Sequence, residues 1–173
     1  HDPTWNWRTF DWNRDVSFVE SQVPFLSATS GDLPRFRSRG GKIVMYTGWS
    51  DPVVPPEDTV RYYEDVVKET GGLEATQKFF RFFPAPGMGH CGGGTGPNTF
   101  DALSALDQWV DRGIAPETLI AARSVNGALD RTRPLCAYPA VARYKGTGSI
   151  DKGESFACSA APPALKPAQA AGR

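Results

Sequence analysis

Residues 42–49, KIVMYTGW, set the tightest limit on what this chain can fold into. The run is nearly all apolar over its first five positions and is bounded by glycines. A strand with one wet face would alternate polar and apolar residues, so this one reads as a strand covered on both faces. The spacing then predicts a helix over 56–69, where Val60, Tyr63, Val66 and Val67 share a face and Gly71 and Gly72 end it. QKFFRFFPAPG predicts a second strand over 77–83. After a glycine-rich loop, a second helix is predicted over 99–112, with Leu103, Leu106, Trp109 and Val110 on one stripe and Gly113 as its stop. Strand, helix, strand, helix is the signature of an α/β fold with a parallel sheet and flanking helices. Two strands cannot sustain such a sheet. Either more strands lie in the remaining sequence, or the rest of the sheet belongs to another polypeptide.

The flanks read differently. WNWRTFDWNRDVSFV, residues 5–19, lacks a clean period and is expected to be irregular, closing in a short strand. A short helix over 33–37 is expected, capped by Asp32. Beyond Ala115 the composition turns loop-rich, and residues 159–173, SAAPPALKPAQAAGR, read as a disordered tail after a single domain over 1–158. The opening HDPTWNWRTF resembles the interior of a protein, as expected of a matured or excised chain.

Charge narrows the partners. Lysine plus arginine and aspartate plus glutamate number 19 each, so no net field draws the chain to nucleic acid or to an anionic membrane. No apolar run approaches the ~20 residues needed to span a bilayer. Three cysteines are present, Cys91, Cys136 and Cys158, and an odd number implies one thiol that is free or paired outside the chain. The segment between Cys136 and Cys158 is rich in Gly, Pro and small polar residues and has little apolar means of holding itself down. A disulfide closing it would contribute about 3 kcal/mol and would place the protein in an oxidising compartment, secreted or periplasmic.

Both loops with chemical promise follow a predicted strand at its carboxyl end, where open α/β sheets place their sites. The first carries Asp51 in GWSDP, the second His90 in GMGHCGGG. An aspartate and then a histidine at successive strand ends fit the last two members of a Ser…Asp…His order. The carboxylate would fix the imidazole tautomer and stabilise the imidazolium, and the imidazole would carry the proton of a nucleophile. Each residue also has an ordinary use, Asp51 as a turn former before Pro52 and His90 as a solvated loop residue. No G-x-S-x-G elbow occurs, and Ser50, Ser104 and Ser149 lie in the wrong settings to be one. The nucleophile is therefore expected outside this chain. One histidine and one adjacent cysteine do not make a zinc site, GGGTG lacks the phosphate-loop lysine, and Asp11, Asp15 and Asp32 lack calcium-loop spacing. A His90–Cys91 dyad is disfavoured because sequence neighbours on a strand end point apart.

DLPRFRSRGGKIVMYTGWSDPVVPP, FFRFFPAPGMGHCGGGTGPNTFDALSALDQWVDRGIAPE and RTRPLCAYPAVARYKGTGSIDKGESFAC together resemble the carboxyl-terminal part of the tannase and feruloyl esterase family. The resemblance implies the carboxyl-terminal portion of an α/β-hydrolase fold, incomplete without an upstream segment, with a lid inserted before the aspartate strand. It implies a serine carboxylesterase acting on esters of aromatic, phenolic acids. Asp51 would be its acid and His90 its base, while an upstream segment or subunit supplies the serine. It further implies that Cys91 is disulfide-bonded to a cysteine beside that serine, that Cys136 pairs with Cys158, and that any calcium site lies in the lid, leaving no metal or cofactor here. Thr47, where relatives often carry histidine, and Val54, with Val53, are its candidate substrate-pocket residues. Two other readings are compatible with the sequence: a non-catalytic α/β domain that binds a partner or carbohydrate through Trp5, Trp7 and Trp12, and a hydrolase fold with a different chemistry, such as peptidase or thioesterase.

Overall fold

The structure is a computed structural model that describes residues 2–24 and 28–160. The described residues fall into two compact units, one up to Ser30 and one from Gly31 onward.

In the first unit, a 3-10 turn over Trp7–Thr9 precedes helix α1, Asp15–Gln22. The short strand expected at the end of this stretch is instead helical. Asp15 sits in the first turn of α1, and its carboxylate accepts from the Asp11 N–H at 2.9 Å, which favours the start of a helix. Neither the turn nor α1 contains a buried residue.

The second unit is built on the strand that the sequence marks most clearly. β1, Ile43–Gly48, pairs in parallel with β2, Phe80–Ala85. The Ile43 N–H donates to the Phe79 carbonyl at 2.8 Å and the Trp49 N–H to the Ala85 carbonyl at 3.0 Å. In a parallel ladder that alternation turns the backbone groups of Val44 and Tyr46 to the far edge of β1, where no strand of the described residues is paired. The outer edge of β2 is occupied: the Tyr138 N–H donates to the Phe82 carbonyl at 2.8 Å. Next along that edge stands Pro84, which has no N–H to offer.

Helices cover the pair on both faces. α2, Pro34–Ser38, starts with Leu33 in the cap position and Pro34 in its first turn, so Asp32 is not the cap. α3, Pro56–Thr70, carries Glu57 and Asp58 in its first turn. It buries Tyr63 and Val66 against Phe79, Phe80 and Phe82, with Ile43 and Met45 of β1 packed alongside. α4, Leu73–Gln77, takes the residue expected to begin the second strand, which therefore starts at Phe80. α5, Ala102–Arg112, is capped by the Asp101 carboxylate, which accepts from the Ser104 N–H. It starts three residues later than expected because Thr99 bridges to Ala122. Its inward side is also shifted. Ala102, Ala105 and Trp109 turn in, while Leu103 and Val110 of the expected stripe are 77% and 61% exposed. The two alanines allow close approach to the Phe83, Met88 and Leu119 cluster on this face.

Beyond Ala115 the loop-rich expectation fails. β3, Thr118–Val125, and β4, Ala128–Cys136, form an antiparallel hairpin, with Val125 opposite Ala128 across the two-residue turn Asn126–Gly127. Both turn residues have positive φ, 51° and 79°, as a primed hairpin turn requires. β5, Val141–Tyr144, and β6, Phe156–Ser159, form a second ribbon, and a Cys136–Cys158 disulfide joins it to β4. Ser159, placed in the tail by sequence, ends β6; residues 161–173 lie outside the described residues.

Candidate active site

Asp51 and His90, 39 positions apart, meet where the two parallel strands end. The Nδ1 atom of His90 lies 2.8 Å from Oδ2 of Asp51. The other carboxylate oxygen, Oδ1, accepts from the backbone N–H groups of Val53 at 2.8 Å and Val54 at 3.0 Å. The Asp51 side chain is only 6% exposed and that of His90 47%. The Val54 N–H, followed by His90 and the Val53 N–H, holds the Asp51 carboxyl below its ordinary value of 3.8, against the desolvation that raises it. The aspartate is thus held as an anion against the Nδ1 side of the imidazole.

Local packing explains the meeting. Gly48, the last residue of β1, lies so close to the loop after β2 that an added Cβ would meet the carbonyl oxygens of Met88 and Gly89 at 2.3 and 2.4 Å. The Ser50 N–H donates to that same Met88 carbonyl at 2.9 Å. The aspartate turn is therefore tied directly to the histidine loop. The loop is a narrow excursion: Met88 bridges Gly94, the Gly89 N–H donates to Gly93, and the Gly96 N–H to Gly87. His90 sits at its tip. Cys91 follows with φ 54°, then Gly92, Gly93 and Gly94 with φ 150°, 65° and 88°, a reversal that only a glycine-rich run makes cheaply.

The remaining sequence candidates are placed as follows. Thr47 is 8% exposed, opposite Pro84 at the end of β1. Val54 reaches Asp51 through its backbone, and its side chain, like that of Val53, is open to solvent. Cys91 is exposed with a free thiol. Among the described residues Asp51 is the hydrogen-bond partner of the His90 side chain. Ser104 is engaged through its N–H by Asp101, and the Ser149 hydroxyl accepts from the Asp151 N–H. Among the described residues, no group of three His, Cys, Asp or Glu side chains could hold a metal ion and no helix is long and apolar enough to cross a membrane. Trp5, Trp7, Arg8, Phe10 and Trp12 line a shallow cavity of about 420 Å³ in the first unit.

Sequence reasoning missed the hairpin behind the histidine loop. Arg123 on β3 donates through Nη1 to the Thr95 carbonyl at 2.7 Å, and its Nε lies 3.4 Å from Asp130. The Asn-Gly pair at 126–127, flanked by LIAARSV and ALDRTRPL, was the signal that could have revealed it.

Residues 4–159 match the family model described as tannase and feruloyl esterase. The chain belongs to this family. It is 44% identical over 154 residues to mono(2-hydroxyethyl) terephthalate hydrolase of Piscinibacter sakaiensis, covering 87% of this chain and 25% of the relative. It is 41% identical over 167 residues to an uncharacterized esterase of Xanthomonas campestris pv. campestris, covering 79% and 29%. The crystal structure of feruloyl esterase B from Aspergillus oryzae superposes with a TM-score of 0.78 at 29% identity, over 90% of this chain and 34% of that one. The fold is thus of the α/β-hydrolase type, and the chain spans about a quarter to a third of the length of these family members.

Proposed function

We propose that the chain supplies the acid and the base of a serine carboxylesterase that hydrolyses esters of aromatic, phenolic acids. The observation that carries this reading is the contact of Asp51 with Nδ1 of His90, backed by two N–H groups on the far carboxylate oxygen. In this reading the nucleophilic serine and the oxyanion hole come from an upstream segment or subunit. His90 Nε2 takes the serine proton as the hydroxyl attacks the ester carbonyl. It then gives that proton to the departing alkoxide, leaving an acyl-enzyme that water hydrolyses by the same relay. Asp51 holds the Nδ1–H tautomer and stabilises the imidazolium without taking the proton itself.

Cys91 at the exposed loop tip would be joined to a cysteine beside the serine, the two thiols giving up two electrons and two protons to the disulfide oxidant of a secretory or periplasmic compartment. The Cys136–Cys158 disulfide agrees with that location. The calcium site implied by the resemblance would belong to the lid, and this chain would need no cofactor.

The test is hydrolysis of methyl ferulate by the complete assembly, the chain together with the serine-bearing segment. His90→Ala is expected to lower kcat by at least ~10³-fold, and the chain alone to give no turnover. Retained activity in His90→Ala would overturn the assignment. The competing reading, a binding domain, finds its support in the tryptophan-lined cavity. It would prevail if the assembly were inert on esters and Trp7→Ala abolished retention on insoluble polysaccharide.

A further inference from the structure

The loop that carries His90 has two limbs, and they are held in different ways. The incoming limb, residues 87–89, is tied to the end of β1 by the Ser50 N–H and by the close approach of Gly48. The outgoing limb, residues 91–96, contains four glycines, a residue type that restrains its own backbone least. Its backbone bonds run to residues 87–89, and at its base the Asn98 amide donates to the Gly96 carbonyl at 3.0 Å.

Among the described residues, the side-chain hydrogen bond that reaches this limb from another element comes from Arg123, whose Nη1 donates to the Thr95 carbonyl at 2.7 Å. Arg123 is itself restrained. Its Nε faces Asp130 of β4 at 3.4 Å, and its side chain is 30% exposed. Its neighbour Ala122 exchanges backbone bonds with Thr99, donating at 2.8 Å and accepting at 3.1 Å, and accepts from Asn98 at 3.0 Å. The hairpin is thus docked beside the base of the loop, and one arginine extends from it toward the tip.

We infer that Arg123 is a positioning residue for His90: through the Thr95 carbonyl it fixes the outgoing limb of the glycine loop, and so the distance at which the imidazole meets Asp51. The polar contacts of Arg123 are with Thr95 and Asp130, not with the ring. A guanidinium suits the task because one face can be anchored by Asp130 while another donor reaches the carbonyl. The inference rests on the reading of His90 as the catalytic base, since small displacements at such a group are costly: about 1 Å of misplacement loses on the order of a hundredfold in rate.

The test uses Arg123→Met, which keeps the stem and removes the donors, beside Arg123→Lys, which keeps a donor. The chain holds two histidines, His1 and His90, so the Nδ1–H proton shared with Asp51 gives an isolated low-field NMR resonance, assigned by its loss in His90→Ala. In Arg123→Met that resonance is expected to broaden away through exchange while the amides of Leu119, Ala121 and Leu135 stay as protected as in the parent. Arg123→Lys should restore it. In the complete esterase, Arg123→Met should lower kcat about tenfold or more with KM little changed.

A parent-like resonance in Arg123→Met overturns the inference. So does its loss in the Met and Lys variants alike, or a collapse of hairpin protection in Arg123→Met, since the arginine would then hold the fold and not the loop. An inactive His90→Ala beside a fully active Arg123→Met would remove this inference and leave the proposed function standing. An active His90→Ala would remove the proposed function itself.

Discussion

At the scale of single residues, the Asp51 carboxylate is specified from three directions, by two backbone N–H groups of the turn that follows it and by the imidazole from the next loop. That arrangement has a pH signature. The folded state holds the carboxyl below its ordinary value of 3.8. Ionised Asp51 therefore favours the fold above about pH 4, and the contribution is lost as pH falls through the depressed folded value. Asp51→Asn lacks a group that titrates there. Unfolding free energies of parent and variant, measured by denaturant at a series of pH values, should be separated near pH 6 and draw together as pH falls below about 4. Curves that remain parallel over that range would contradict the bonding described. Asp51 and His90 were both legible in the sequence, because each follows a run that reads as a strand. Arg123 was not. Its role depends on a carbonyl 28 positions away, and one arginine among many carries no local mark.

At the scale of elements, β2 is the member on which both clusters depend. Phe80 and Phe82 face α3, while Phe83 faces the hairpin and α5. Phe82 is completely buried, and Phe82→Ala should cost about 3–5 kcal/mol, read from the denaturation midpoint at unchanged slope. A loss below 1 kcal/mol would contradict close packing of Phe82 in this cluster. The parallel pair and α3 were readable because continuous apolar runs and a helical spacing leave few alternatives. The hairpin was not read because its strands mix Arg, Asp, Thr and Ser with Leu and Ala, so bulk composition resembles a loop. The pattern is there at the right period: Leu119 and Ala121 are buried, while Ile120 between them is 58% exposed. In α5, Leu103 and Val110 misled the reading for a different reason. Apolar character suggested burial, but the alanines set the contact face, since they let the helix approach the sheet side more closely.

At the scale of the whole molecule, long-range ties matter more than core size. The β5–β6 ribbon exposes Val141, Tyr144 and nearby Ile150, and polar bonds hold it to β4, among them Arg131 to Asp151 at 2.8 Å and the Gly153 N–H to the Thr132 hydroxyl at 2.7 Å. The Cys136–Cys158 disulfide closes this region over a separation of 22 residues, which corresponds to about 3 kcal/mol on the chain-entropy account. Replacing both cysteines by serine should lower Tm by about 10 °C, with protection lost first at β5 and β6 in hydrogen exchange; an unchanged Tm would show that the polar bonds suffice. Among the described residues, the parallel pair has one side stopped and one side available, with Pro84 and Tyr138 along β2 and unpaired backbone along β1. A further strand can therefore extend this pair in one direction, beyond β1. Backbone pairing along β1 would then seat the upstream segment of the proposed assembly on the sheet without using a side chain of the site.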